Sequence, residues 1–116
     1  MNAVDRLRAA LSRFPDVACG RSRFGSRCNE AWSVSGREFA HLHADDRLDL
    51  RLPRPIQASL RSEPLARFRK SSSEWVEFEF HSSIDVERLL TLAHAAWAAA
   101  REPKDATRHS GTAEHL

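Results

Sequence analysis

Hydrophobic residues recur with helical spacing at the two ends of the chain and with strand-like alternation between them. An N-terminal helix is predicted to begin after Asn2, which can act as its N-cap, and to end at Pro15. A longer helix is predicted to begin at Ser82 or Ser83 and to continue to residue 101. The apolar stripes of these two helices are Val4, Leu7, Leu11 and Phe14 in the first, and Val86, Leu89, Leu90, Ala93 and Trp97 in the second.

The middle of the chain predicts a sheet. A short helix beginning at Pro55 interrupts the alternating segments. This order predicts an α+β fold, in which an antiparallel sheet of about five to six strands carries the N-terminal, middle and C-terminal helices on one face. Residues 1–101 would form a single domain, and the polar segment 102–116 a disordered tail. The predicted strands are residues 17–23, 30–34, 37–43, 48–52, 65–69 and 75–80.

The composition is that of a soluble globular domain, with 41% hydrophobic and 29% charged residues over 116 positions. No apolar run approaches the roughly 18 residues needed to cross a bilayer, so no membrane association is predicted. The first six residues lack the apolar region of a signal peptide, which predicts a cytoplasmic location. In that compartment Cys19 and Cys28 are predicted to be reduced and to be small buried apolar residues.

Residues 37–53 hold most of the potential chemistry, because two histidines and several carboxylates fall within one predicted hairpin. A three-residue connection, residues 45–47, would place Leu42 opposite Leu50 and gather the apolar residues of both strands on the core face. An even-length connection would instead bury the histidines among leucines, so the three-residue connection is preferred. The other, solvent-facing side would then carry His41, His43, Asp49 and Arg51, with Phe39 beside the histidines.

Three interpretations of this polar face are open. His41 and His43 could bind a divalent metal with a third ligand such as Asp45, Asp49 or Glu38. An imidazole next to a carboxylate could also work as a general acid–base pair. The third interpretation is a polar sheet surface without a ligand, for which replacing both histidines would change stability by less than about 0.5 kcal/mol.

Trp75 is predicted to share the histidine side of the sheet, because its parity is opposite to that of the core residues Val76 and Phe78. An aromatic ring beside His41 and Arg51 would suit a planar or anionic ligand. The alternative is a tryptophan at the strand end that the loop 71–73 covers. Neither a nucleophile elbow nor a glycine-rich phosphate loop occurs in the sequence.

The charges divide unevenly along the chain. Residues 1–70 carry fourteen Arg and Lys against eight Asp and Glu, whereas residues 71–116 carry four against eight. Such asymmetry can mark a nucleic-acid-binding half, but a mixed charged surface is the preferred interpretation because the basic residues are scattered. The basic residues that a nucleic acid would use are Arg21, Arg23, Arg27, Arg67, Arg69 and Lys70.

Residues 36–43 and 48–53 also resemble the core pattern of small bacterial and fungal proteins called "luciferase domain" proteins. Residues 73–78 and the leucine-bearing helix after Asp85 match the ending of that pattern, so the resemblance covers roughly residues 5–100. It implies an α+β fold, and light emission is not inferred from it, since the family resembles neither flavin-dependent nor insect luciferases. The architecture is also similar, at the level of fold, to MmcQ/YjbR-type proteins, for which DNA binding has been proposed.

The function predicted first is a cytoplasmic binding module. Its binding surface for a small ligand or a partner protein would be the side of the sheet that carries the two histidines. The second is a small enzyme or metal-binding protein that uses His41 and His43. DNA binding ranks last, because no aromatic residues interleave with the arginines as stacking platforms. No cofactor is predicted, and a divalent metal is the one ion the histidine pair could hold. The predicted binding residues are His41, His43, Asp49, Arg51 and Trp75, and the predicted metal ligands are His41, His43 and Asp45.

Overall fold

A computed structural model describes residues 2–22, 29–44, 46–68 and 73–102 of the chain. Within these residues one antiparallel sheet has the strand order β1-β2-β3-β4-β6-β5, which confirms the predicted α+β class. The predicted tail falls outside the described residues, except Glu102. The elements are α1 (Ala3–Ser12), β1 (Val17–Ser22), β2 (Asn29–Val34), β3 (Arg37–Ala44), β4 (Arg47–Arg51), α2 (Arg54–Ser59), β5 (Ala66–Phe68), β6 (Trp75–Glu79) and α3 (Ser83–Arg101).

Both long helices begin at the caps that the sequence predicts. The Asn2 side chain accepts a hydrogen bond from the Asp5 backbone N–H at 2.9 Å, which satisfies one of the free N–H groups of α1. At the start of α3, Ser82 and Asp85 form a reciprocal capping box. The helices meet the sheet through a single core, and no helix among the described residues is long and apolar enough to cross a membrane.

The core lies between the sheet and the pair α1 and α3. One cross-strand row runs from β2 to β6 through Trp32, Ala40, Leu50 and Val76, and all four side chains are fully buried. The Ile56 side chain of α2 also packs against this core. Burial of such apolar side chains is the main favourable term in folding, at roughly 1.5–3 kcal/mol for each large one. The sheet face turned away from α1 and α3 is therefore the one that can carry a site.

The connection between β3 and β4 differs from the prediction. It spans two residues, 45 and 46, and Leu42 pairs with Leu48 rather than with Leu50. A register shift between Leu42 and Ala44 leaves His43 as an extra residue in β3. This β-bulge restores the parity that an even connection would have inverted. The three-residue connection was therefore wrong, but Leu42, Leu48 and Leu50 are buried on the core face as predicted.

A second bulge in β3 overturns the position predicted for Phe39. Trp32 pairs with Ala40 and Ser33 with Glu38, so Phe39 is the extra residue between them. Its ring is fully buried and stacks on the Phe14 ring with centroids 6.3 Å apart. Phe39 thus belongs to the core next to Phe14 rather than to the histidine side, because the bulge places its side chain on the opposite face of the sheet.

Cys19 is exposed, so its predicted burial was wrong. It lies in β1, an edge strand that pairs only with β2 among the described elements. An edge position has no neighbouring strand on its outer side to cover it. Cys28 lies outside the described residues.

Candidate functional site

The histidine face is the sheet surface opposite α1 and α3 that carries His41, His43, Asp49, Arg51 and Trp75. Its central row runs across three strands, where His41 pairs with Asp49 and Asp49 pairs with Glu77. The structure therefore brings the predicted residues together on one side of the sheet.

Glu38 joins this face because of the bulge at Phe39. Residues three apart in a regular strand point to opposite sides, but the extra residue lets Glu38 and His41 share one side. The Nε2 atom of His41 lies 2.6 Å from Oε1 of Glu38. From the sequence Glu38 was predicted only as a possible metal ligand, because the pattern of alternating residues does not reveal a bulge.

His41 is fully buried, although the sequence analysis placed it on a solvent-facing surface. The Trp75 ring lies nearly parallel to the imidazole, at a centroid distance of 4.2 Å and an interplanar angle of 16°. The predicted side for Trp75 is thus the observed one. The predicted solvent exposure of His41 was wrong, because a large aromatic residue from a strand two places away covers it.

His43 and Asp49 form the second imidazole–carboxylate pair of the face. His43 Nε2 lies 2.5 Å from Asp49 Oδ2, and the Asp49 side chain is fully buried while that of His43 is 27% exposed. The predicted exposure of Asp49 was therefore also wrong. A carboxylate at this distance fixes the orientation of an imidazole ring. The two imidazoles meet edge to face with centroids 6.5 Å apart, so the two pairs are in contact.

Arg51 lies at the rim of the histidine face, opposite Trp75 in the β4–β6 register. Its Nε donates to Glu74 Oε1 at 3.0 Å, and both side chains are 45% exposed. An anion that approached this guanidinium would compete with Glu74, a residue that the sequence analysis did not select. Since the pair is half exposed, water screens it and exchange for a ligand carboxylate costs little.

The predicted metal set is only partly described, because Asp45 lies outside the described residues. The Nε2 atoms of His41 and His43 face two different carboxylates, those of Glu38 and Asp49. A second group of residues in the described part of the chain could hold a metal ion. Asp46, Glu79 and His81 each offer a ligand atom, and these atoms lie within 4.8 Å of one another.

Two of the six basic residues predicted to contact a nucleic acid fall within the described residues. The side chain of Arg67 is described, and its Nη2 donates to Glu79 Oε1 at 3.0 Å. The backbone of Arg21 lies in β1. DNA binding through these residues stays a prediction. The others, Arg23, Arg27, Arg69 and Lys70, lie outside the described residues.

A model of the luciferase domain family matches residues 36–96, more than half of the chain. The chain belongs to this family. The match begins at the β2–β3 turn, ends within α3, and includes all five residues of the histidine face. It confirms the luciferase-domain resemblance over a shorter stretch than the sequence analysis gave. No curated protein and no solved structure matches the chain, so the similarity to MmcQ/YjbR-type proteins stays a prediction.

Proposed function

We propose that this luciferase-domain protein is a small binding module and that the histidine face is its ligand site. The observation that carries the proposal is the pairing of the buried Asp49 with the partly exposed His43, whose ring meets the His41 ring that stacks on Trp75. Burying a carboxylate is unfavourable unless it is well paired. A sheet face with no role beyond stability would avoid this desolvation cost by carrying apolar or fully exposed residues. The cytoplasmic setting predicted from the sequence is part of this proposal.

The exposed groups of the face define the ligand chemistry. His43 and Arg51 both offer N–H donors, and Trp75 offers aromatic surface. Donors of this kind bind carboxylate or phosphate oxygens, and a flat ring system would lie against the indole. We therefore infer a small ligand that combines a planar part with an anionic group. A partner protein could present the same chemistry through an acidic side chain next to an aromatic one.

A titration with 2-naphthoate tests this chemistry, with the neutral 2-naphthamide as the matched probe. Amide NMR should show saturable shifts in β3, β4 and β6 for the acid and weaker shifts for the amide. Arg51→Gln should weaken naphthoate binding at least about tenfold, because a charge-assisted hydrogen bond contributes roughly 1.5–3 kcal/mol. Arg88→Gln is the matched control, since Arg88 is also a half-exposed arginine paired to a glutamate.

Two results would contradict the proposal. Shifts that do not saturate, or that spread over α1 and α3, would show that naphthoate binds without a site. Equal weakening by Arg51→Gln and Arg88→Gln would show that binding follows net charge alone rather than the histidine face.

The His43–Asp49 pair also supports a second candidate, a small enzyme that uses His43 as a general acid–base group. A carboxylate that fixes an imidazole is the arrangement that many hydrolases use to orient a catalytic histidine. Hydrolysis of p-nitrophenyl acetate tests this idea. The wild type should exceed a His43→Gln variant, while His94→Gln, which alters an exposed histidine of α3, should match the wild type. Equal rates for all three proteins would exclude His43 as the acting group for this ester.

A further inference from the structure

Three potential metal ligands meet at the end of the sheet where β4 begins and β6 ends. Asp46 lies in the connection before β4, Glu79 is the last residue of β6, and His81 follows two residues later. Their ligand atoms lie within 4.8 Å of one another. The group is distinct from the histidine pair of the hairpin, and it does not depend on the proposed ligand binding.

The backbone holds these three residues in fixed places. The Phe80 N–H donates to the Asp46 carbonyl at 2.9 Å, which ties the connection to the end of β6. The His81 N–H donates to Asp85 Oδ2 at 2.9 Å, and Asp85 belongs to the capping box of α3. A metal site is effective when its ligands come from such rigid elements, because little conformational entropy is then lost on binding.

The side chains are also oriented for a shared ion. His81 Nε2 lies 3.2 Å from Glu79 Oε2, which is close to the separation of two ligands on one ion with bonds of about 2.0–2.2 Å. The other carboxylate oxygen of Glu79 accepts from Arg67 at 3.0 Å. This hydrogen bond orients the carboxylate so that Oε2 faces His81.

We propose that Asp46, Glu79 and His81 bind one divalent transition-metal ion of the zinc class. One imidazole with two carboxylates is a mixed nitrogen and oxygen donor set, which suits zinc, cobalt or manganese better than calcium. Three protein ligands leave at least one coordination position for water or an anionic ligand. Asp49 pairs with Glu77 and Glu79 lies two residues further along β6, so the ion would lie at the edge of the histidine face.

The test is a zinc titration of the full, tag-free chain, followed by amide NMR and calorimetry. One equivalent should bind with saturable shifts at residues 46, 79 and 81. His81→Ala and Asp46→Asn should each weaken binding at least about tenfold. His94→Ala, which alters another exposed histidine, and a double alanine variant of the histidines at positions 109 and 115 should leave the affinity unchanged.

His81 is exposed, so its replacement should leave the fold intact, and far-ultraviolet circular dichroism checks this. Cobalt in place of zinc gives an independent readout, because its d–d absorbance reports ligand number. Three results would overturn the proposal: binding that does not saturate, binding that survives His81→Ala, or binding that His43→Ala abolishes while His81→Ala does not. The last would return the metal to the hairpin pair.

Discussion

His43→Ala should destabilise the protein by about 2 kcal/mol at neutral pH, well above the effect of an ordinary surface substitution. The Asp49 side chain is fully buried and lies 2.5 Å from the imidazole that the variant removes. Hydrogen bonds to charged groups contribute roughly 1.5–3 kcal/mol. The value falls towards the lower part of that range because the His43 side chain is 27% exposed, and water can replace part of the lost bond.

The assay is a double-mutant cycle measured by urea unfolding, with tryptophan fluorescence as the signal. His43→Ala, Asp49→Ala and the double variant give the coupling energy of the pair, which should be about 1.5 kcal/mol. The single change at His43 should also lower Tm by about 8 °C in a domain of this size. Ser83→Ala, which alters an exposed serine of α3, is the control, and its effect should stay below about 0.5 kcal/mol.

A coupling energy below about 0.3 kcal/mol would refute this reasoning, since contacting residues of a buried pair should not behave independently. In that case the histidine face would behave as the polar surface that the sequence analysis kept as an alternative. A large coupling would show that burial, rather than the presence of a histidine on a strand, decides its energetic role.

Three further predictions concern the scaffold around the site. Gly36→Ala should cost about 1 kcal/mol in urea unfolding, because Gly36 has φ +77° and an added Cβ meets no atom within 4 Å, so the whole effect is backbone strain. Ser82→Ala should cost about 1 kcal/mol in the same assay, because it removes half of the α3 capping box. In a Cys28→Ser background, the rate at which iodoacetamide alkylates Cys19 should rise with pH. The midpoint of this pH dependence should lie above the ordinary thiol pKa. Although Cys19 is exposed as a residue, desolvation of its sulfur raises the pKa of the thiol, and the charge of Glu30 raises that pKa further, so Glu30→Gln should lower the pH midpoint.

Each of these has a matched comparison. Gly20→Ala also meets no atom within 4 Å and lacks a positive φ, so a loss equal to that of Gly36→Ala would contradict the strain argument. Ser83→Ala changes an exposed serine one position beyond the cap; equal losses there and at Ser82 would remove the capping explanation. A Cys19 midpoint that does not respond to Glu30→Gln would show that its thiol is insulated from that charge.

The helices and strands could be predicted from the sequence because each depends on local information. Asn2 and Ser82 cap the helices where the periodic stripes begin. Ser35 and Gly36 both adopt positive φ in the β2–β3 turn, as a two-residue hairpin requires. Alternation also gave the correct side for the leucines of the 37–52 hairpin, because burial of apolar area is insensitive to a register shift of two residues.

The candidate site could be predicted only in part. Its side of the sheet follows from alternation, but its burial depends on Trp75, which reaches His41 only through the pairing of β4 with β6. That pairing joins segments more than twenty residues apart, and no local sequence pattern predicts it. The contact of Glu38 with His41 needs the bulge at Phe39, which arises where the strand packs Phe39 beneath Phe14.

The bulge at His43 compensates for the short β3–β4 turn, because the extra residue in the strand has the same effect on the register as an extra residue in the turn. With two connecting residues, the extra position in β3 keeps Leu42 opposite Leu48. One residue inserted into the turn would let His43 enter a regular ladder opposite Arg47, and the leucines would stay on the core side. The β3–β4 turn can therefore be one residue longer without exchanging the two faces of the sheet. Such a change would alter the orientation of the His43 imidazole and leave the fold unchanged. The length of the turn therefore controls the geometry of the histidine face independently of the fold.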